Sequence, residues 1–410
     1  MRRSARIGKR WGGAASLVGA LCAAGAVVAS CDSPPTVEPT FPAFAIEDCR
    51  GGLVEVARLR RTFGIQSWAM GTHNNLALDG ETLYMTYAFA AEDSGLPSGG
   101  GIVAVPVSGG AARAVTFAGG TLDWGAGTFW IGGGRIYLQT GSDVLSFPVD
   151  SAPLATLPVK VLPALNTEYA HDADFGYVAQ AEKNGLKVMK APLAGGDASV
   201  LLDEPLPNVA VGGLADAGDA LLLQVRWGPD SAYESDAFTR VWRIPKDGSP
   251  RSDVRPDIVW ADALGVAPYL GSAQWLAWDG ADILGPIYVQ THVVILQNYL
   301  VIARVPAAGR SAPEYLKLQG AVAVRRGDEI LSLQGLAARA AGDPMVTVRL
   351  LVASSRGAPG GSVIACGAKF EGTLPAGLPA ALPAGIAAND SAVFVSYMEG
   401  EDTVIARVEP

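Results

Sequence analysis

The chain has 410 residues, 49% of them hydrophobic, with 50 glycines, 27 prolines and a formal net charge of −9. That length holds two average domains or one large repeat array, and so much glycine and proline fits short strands joined by frequent turns. The acidic balance excludes nucleic acid as an expected partner, because such a surface repels phosphate backbones and anionic lipid heads.

Met1–Ser30 contains no Asp or Glu, and Arg2, Arg3, Arg6, Lys9 and Arg10 precede the small, apolar stretch Trp11–Ala29. Val28-Ala29-Ser30-Cys31 then sets a cysteine directly after small residues. These features resemble the signal peptide of a bacterial lipoprotein, and the resemblance implies that Cys31 is lipidated and becomes the mature N-terminus. An uncleaved signal anchor is the other reading of so long an apolar stretch. Removal of residues 1–30 leaves a net charge of −14. Asp32–Pro42, DSPPTVEPTFP, reads as an extended tether. Residues 31–48 are therefore expected to be a lipid-anchored linker and 49–410 the folded body. Cys22 leaves with the leader, so the body keeps Cys49 and Cys366. In an exported protein that even remainder suggests a disulfide, against the alternative of two buried free thiols.

Along the body a twelve-residue pattern recurs without gaps: Leu76–Tyr87, Phe129–Thr140, Tyr169–Gln180, Leu214–Val225, Leu276–Ile287, Val322–Leu333 and Ile386–Tyr397. Each copy starts apolar, has a centre of Asp, Gly or Asn and finishes apolar or β-branched, which is a hairpin of two strands around a tight turn. Downstream of each lies an apolar run with a recurring end: Val105-Pro106, Phe147-Pro148, Ala191-Pro192, Ile244-Pro245, Val305-Pro306, Ala365-Cys366 and Val408-Glu409. Proline gives no N–H to a ladder and so closes a strand. Ala112–Phe117 and Ser199–Leu202 supply examples of a fourth strand. A repeat near 40–50 residues that builds one four-stranded unit is the signature of propeller blades. The expected fold is all-β, a β-propeller of seven four-stranded blades, with six blades and an irregular cap as the alternative.

The last copy stops at Pro410, immediately after its third strand. Leu53–Phe63, a strand-like run ahead of the first hairpin, is expected to supply the missing outer strand and close the ring by pairing near Val404–Val408. DGETLYMTY followed by GGGIVAVPVSGG is similar to blades of bacterial propellers related to the TolB, NHL and YWTD groups. That resemblance implies the fold and a tendency to bind on one face; it brings no catalytic residue.

Insertions at Ala90–Gly99, Trp227–Phe238 and Gly335–Pro344 fall between second and third strands, on the same end as the connections between blades. Together they predict one loop-rich binding face. Asp123, Trp124, Trp227, Tyr233, Trp260, Asp262 and Tyr269 are the candidate ligand-binding residues there, an aromatic and acidic set suited to sugar rings or cationic groups. The same aromatics equally suit packing between blades. His73, His171 and His292 have no second ligand at metal spacing, and His171-Asp172 reads as a satisfied turn. No nucleophile elbow, phosphate loop or dinucleotide fingerprint is present in a fitting context. The sequence thus predicts a lipid-anchored, non-catalytic, monomeric envelope protein, periplasmic or on the outer membrane. It needs no cofactor or metal, and its partner is a protein or glycan. The alternative is a lyase, lactonase or quinoprotein-like enzyme working in the central funnel, for which His73-Asn74, Glu168 and Gln274 are the axial polar residues.

Overall fold

The computed structural model describes residues 44, 50–64, 74–96, 100–115, 129–139, 143–150, 159–163, 167–182, 184–228, 238–254, 277–278, 282–290, 298–306, 314–319, 322–327, 329–338, 345–356, 360–373 and 381–409. All lie in the compact unit Thr40–Pro410. Among the described residues regular structure is β throughout, apart from one 3-10 turn at Glu92–Ser94.

The strands form antiparallel meanders in chain order. The first sheet runs Leu76–Asp79, Thr82–Ala90, Gly101–Pro106, Arg113–Val115, and the second Phe129–Gly132, Arg135–Gln139, Asp143–Pro148, Val159–Pro163. The third is Thr167–His171, Phe175–Glu182, Gly185–Pro192, Ser199–Glu204, and the fourth Val209–Asp216, Ala220–Trp227, Phe238–Pro245, Ser252–Asp253. The fifth is Ala277–Trp278, Asp282–Gln290, Asn298–Pro306, Glu314–Gln319, and the sixth Val322–Arg326, Glu329–Ala338, Met345–Ser354, Ser362–Thr373. Ala381–Ala388, Val393–Glu399 and Asp402–Glu409 form the seventh, completed by Gly52–Leu59 from the other end of the chain. Every recurring hairpin of the sequence is thus the first strand pair of a sheet.

Central strands read apolar without alternation because both faces of a sheet are covered. In Gly101–Pro106 everything but the terminal proline is buried. Ile102 and Ala104 pack toward the second sheet with Phe129, Ile136 and Phe147, whereas Val103 and Val105 pack the other way with Phe394 and Ile405 of the seventh. Tyr137 and Val178 join the second sheet to the third, and Leu186 and Leu223 the third to the fourth. Leu318 and Leu351 join the fifth to the sixth, and Leu333 and Val395 the sixth to the seventh. Strand Val209–Asp216 also neighbours Ala277–Trp278 of the fifth. Consecutive four-stranded meanders packed face to face are the architecture of a β-propeller.

At the junction of seventh and first sheets, Leu53 lies opposite Val408 and Arg58 opposite Val404. The run Leu53–Phe63 does not stay in one sheet, however. It turns at Arg61, whose φ is 45°, and Thr62–Gly64 pairs with the far half of Thr82–Ala90 in the first sheet. The Arg61 N–H donates to Asp402 Oδ1 at 2.9 Å, and Thr403 Oγ1 donates to the Thr62 carbonyl at 2.5 Å. Arg58 reaches Glu55 at 2.8 Å and Glu399 at 2.6 Å, and Arg61 reaches Asp93 at 3.1 Å. Nearer the first strands, Asn74 clamps Ile386 by donating to its carbonyl at 2.6 Å and accepting its N–H at 2.9 Å. Ser396 donates to Asn75 Oδ1 at 2.8 Å. The N-terminal strand and the last sheet are one bonded unit.

Three expectations need correction. Ala365-Cys366 lies in the fourth strand of its sheet, not the third; the third is Met345–Ser354, which ends without a proline, so the marker used elsewhere is missing. The stretch Gly335–Pro344 is not wholly a loop, because Gly335–Ala338 continues its strand opposite Thr347–Leu350. Phe44, inside residues 31–48 expected to be linker and beyond the tether Asp32–Pro42, is buried against Leu316, Cys366 and their neighbours. Cys366 is itself buried in that cluster.

Candidate functional site

The two ends of the sheets differ. First-to-second strand connections are tight turns, such as the Asn389 turn, whose side-chain oxygen accepts the N–H groups of Ser391 at 3.0 Å and Ala392 at 2.8 Å. The connections 91–100, 116–128, 228–237 and 254–276 join strand ends at the opposite end, and 149–158, as long as the first of them, joins strand ends at the tight-turn end. Asp123, Trp124, Tyr233, Trp260, Asp262 and Tyr269 lie outside the described residues, as do Cys31 and Cys49. Trp227 is the described member of the aromatic set. It ends its strand half-buried, with its ring tilted against Trp242 at 6.0 Å between centroids. Trp242 in turn carries the Arg251 guanidinium over its other neighbourhood, 3.7 Å from the ring centre, and Arg251 bonds Glu204 at 2.8 Å.

Sequence reasoning missed a denser cluster where the second, third and fourth sheets meet. Tyr169 and His171 are two apart on one strand and so share a face, which they turn to Trp130. The Trp130 ring stacks on Tyr169 at 4.0 Å, Tyr137 at 5.1 Å and His171 at 5.4 Å. Burial pushes the His171 pKa down, so its ring is neutral at pH 7. The Trp130 Nε1 and Tyr169 Oη atoms are buried without a hydrogen-bond partner. The weak signal in sequence was Tyr-x-His at the end of a first strand, which alternation places side by side.

Asp172, next along, is a fully used turn carboxylate. Its Oδ1 accepts the N–H groups of Asp174 at 3.0 Å and Phe175 at 2.8 Å; its Oδ2 accepts Tyr177 at 2.6 Å and Lys246 at 2.7 Å. Lys246 comes from the fourth sheet and also meets Asp216 at 2.8 Å. Burial alone would push Asp172 up, but Lys246, Tyr177 and the two N–H groups outweigh it and hold the carboxyl well below its usual range. This is a staple between sheets, with its lone pairs committed.

Glu168 differs. It shares a face with Ala170, which packs among fourth-sheet residues, and it lies opposite Ala179. The residue is half-buried among the surrounding strands. Desolvation pushes its pKa up to about 8, with no charge or hydrogen bond to offset it. Asn74, the other described axial candidate, spends its side chain on Ile386; His73 and Gln274 lie outside the described residues. Among the described residues no group of three His, Cys, Asp or Glu is arranged to hold a metal ion.

No protein-family model and no curated protein matches the sequence. Solved structures do. An oligogalacturonate lyase from Vibrio parahaemolyticus aligns at 11% identity and a TM-score of 0.47, covering 88% of this chain and 98% of that one. Polysaccharide lyase Uly1 aligns at 9% identity and 0.49, covering 88% and 99%. The β-propeller domain of the Trilobed protease from Pyrococcus furiosus aligns at 12% identity and 0.31, covering 79% and 76%. The β-propeller fold of this chain stands on its own strand pairing.

Proposed function

We propose that the chain is a seven-bladed, closed β-propeller, tethered to the cell envelope by lipid on Cys31 and stapled by a Cys49–Cys366 disulfide, that binds a protein or glycan through its loop-rich end without catalysis. The observation that supports the binding face is the bias of the connections: the two longest between sheets, 116–128 and 254–276, share one end with 91–100 and 228–237, whereas the other end has short turns and one connection of ten residues, 149–158. A rigid scaffold that concentrates its length variation on one surface is the usual layout of a recognition module. The full chain, and a variant in which residues 228–237 are replaced by a two-residue turn, are tested on arrayed glycans and on purified envelope proteins. Loss of a wild-type interaction with an unchanged melting temperature is the expected result. Equal binding by both proteins sinks the face.

A second reading, an enzyme of the lyase, lactonase or quinoprotein-like kind, is favoured by Glu168. An enclosed carboxyl titrating near neutrality suits proton transfer at pH 7. Absence of turnover on panels of oligosaccharides, lactones and alcohols removes that reading, and turnover that survives Glu168→Gln removes Glu168 from the proton-transfer role.

A further inference from the structure

The sixth sheet breaks the pattern of its neighbours at the tight-turn end. The central turn residues of the repeated hairpins are Asp79-Gly80, Gly133-Gly134, Asp172 to Asp174, Asp216 to Asp219, Asp279-Gly280 and Asn389-Asp390, whereas the sixth hairpin has Arg325-Arg326-Gly327. The second of these arginines borders a cavity of about 260 Å³ lined by Arg326, Gly327, Arg356 and Asp390. Arg356 arrives from the turn between the third and fourth strands of the same sheet, and Asp390 from the first turn of the seventh. The cavity is therefore built at a junction of two sheets, on the end away from the long connections.

Arg326 is held in place from beneath. Its Nε and Nη2 donate to Glu329 Oε2 at 3.0 Å and 2.8 Å, and Glu329, 4% exposed, also accepts the Ser354 hydroxyl. A guanidinium fixed through one edge by a buried carboxylate keeps its remaining donors oriented, which lowers the ordering cost of receiving a ligand. Gly327 has φ 61°, and added bulk there would meet nothing within 4 Å, so the rim is open. The lining therefore carries both signs of charge, two guanidiniums and the Asp390 carboxylate, with Arg326 already paired to Glu329. A planar guanidinium pairs best with a carboxylate or phosphate. The Asp390 carboxylate in the same lining repels a dianion and accepts a cationic or hydrogen-bond-donating group.

We propose that this cavity binds a zwitterionic ligand of amino-acid size, its carboxylate on Arg326 and Arg356 and its ammonium on Asp390. The volume suits a ligand below drug size. Binding is measured by titration calorimetry and chemical-shift perturbation on the full chain, with L-alanine, acetate and sulfate as probes. L-alanine is expected to bind saturably and more tightly than acetate, with sulfate weakest. Arg356→Gln should weaken L-alanine by about tenfold or more, the scale of one charge-assisted hydrogen bond. Asp390→Asn should weaken L-alanine while leaving acetate equal or tighter. Both substitutions are at exposed turn positions, so unchanged melting temperatures certify the fold. The proposal is overturned if L-alanine shows no saturable binding, if sulfate binds tightest, or if both variants bind L-alanine as the wild type does.

Discussion

Ile405 tests whether the two ends of the chain share one core. It is fully buried, opposite Ala57 of the N-terminal strand and Ser396 of its own hairpin, and packs in a cluster with Leu76, Leu83, Met85 and Phe394. Ile405→Ala removes three carbon groups, about 2.4 kcal/mol of transfer free energy at ~0.8 per group. Walls contributed by two sheets collapse poorly, and the residual cavity adds up to about 2 kcal/mol more. The expected loss is therefore about 2–5 kcal/mol, against about 0.5–1.5 kcal/mol for Ile405→Val. Urea unfolding followed by tryptophan fluorescence reads it as a lower midpoint at unchanged slope. Val200→Ala, at a position 59% exposed, is the control and should be near neutral. If Ile405→Ala costs no more than Val200→Ala, the termini do not share a core and the packing argument fails.

Gly385→Ala should destabilise by about 1–3 kcal/mol, because the new methyl would sit 2.7 Å from Leu76 Cβ and against the Asn75 amide; thermal unfolding checks this. Lys246→Met should cost about 1–3 kcal/mol at pH 7 by leaving Asp172 and Asp216 without their shared cation. Asp172 is depressed in the fold, so its contribution is present above the unfolded carboxyl value and lost as pH falls; the variant lacks much of that depression, so its stability gap to wild type should narrow as pH falls through the carboxyl range, and a gap that stays constant with pH would contradict this. Glu168 has the opposite sign. Raised to about 8, it binds more protons folded than unfolded, so stability falls as pH rises from the ordinary carboxyl range to about 8. Glu168→Gln should flatten that slope in urea titrations and exceed wild type at pH 9. Non-reducing peptide mapping should recover Cys366 joined to Cys49, and a different partner would displace that pairing.

Much of this fold was legible in the chain. The seven hairpins and the strands ending at Pro106, Pro148, Pro192, Pro245 and Pro306 are local signals, set by turn chemistry and by proline's missing donor. The sixth sheet hid its third strand because Met345–Ser354 carries no such mark and Ala365-Cys366 imitates one. The division of Leu53–Phe63 between two sheets depends on Arg61 taking a positive φ next to Asp402, a partner 341 residues away that no local window contains. The site was less legible for the same reason. Glu168, Trp130 and Lys246 are ordinary in sequence and acquire their character from neighbours on other sheets, whereas Trp227, conspicuous as an exposed aromatic candidate, is taken up by Trp242.

The strap formed by Gly52–Leu59 and Thr62–Gly64 also sets an order of events during biosynthesis. Gly52–Leu59 leaves the ribosome long before its mate, Asp402–Glu409. Until then a bare strand edge with unsatisfied backbone groups must be shielded from neighbouring nascent chains. A product that stops short of Asp402–Glu409 would keep nearly every repeat and still lack its lock. Such premature stops should yield insoluble or proteolysed material, not a slightly smaller working protein.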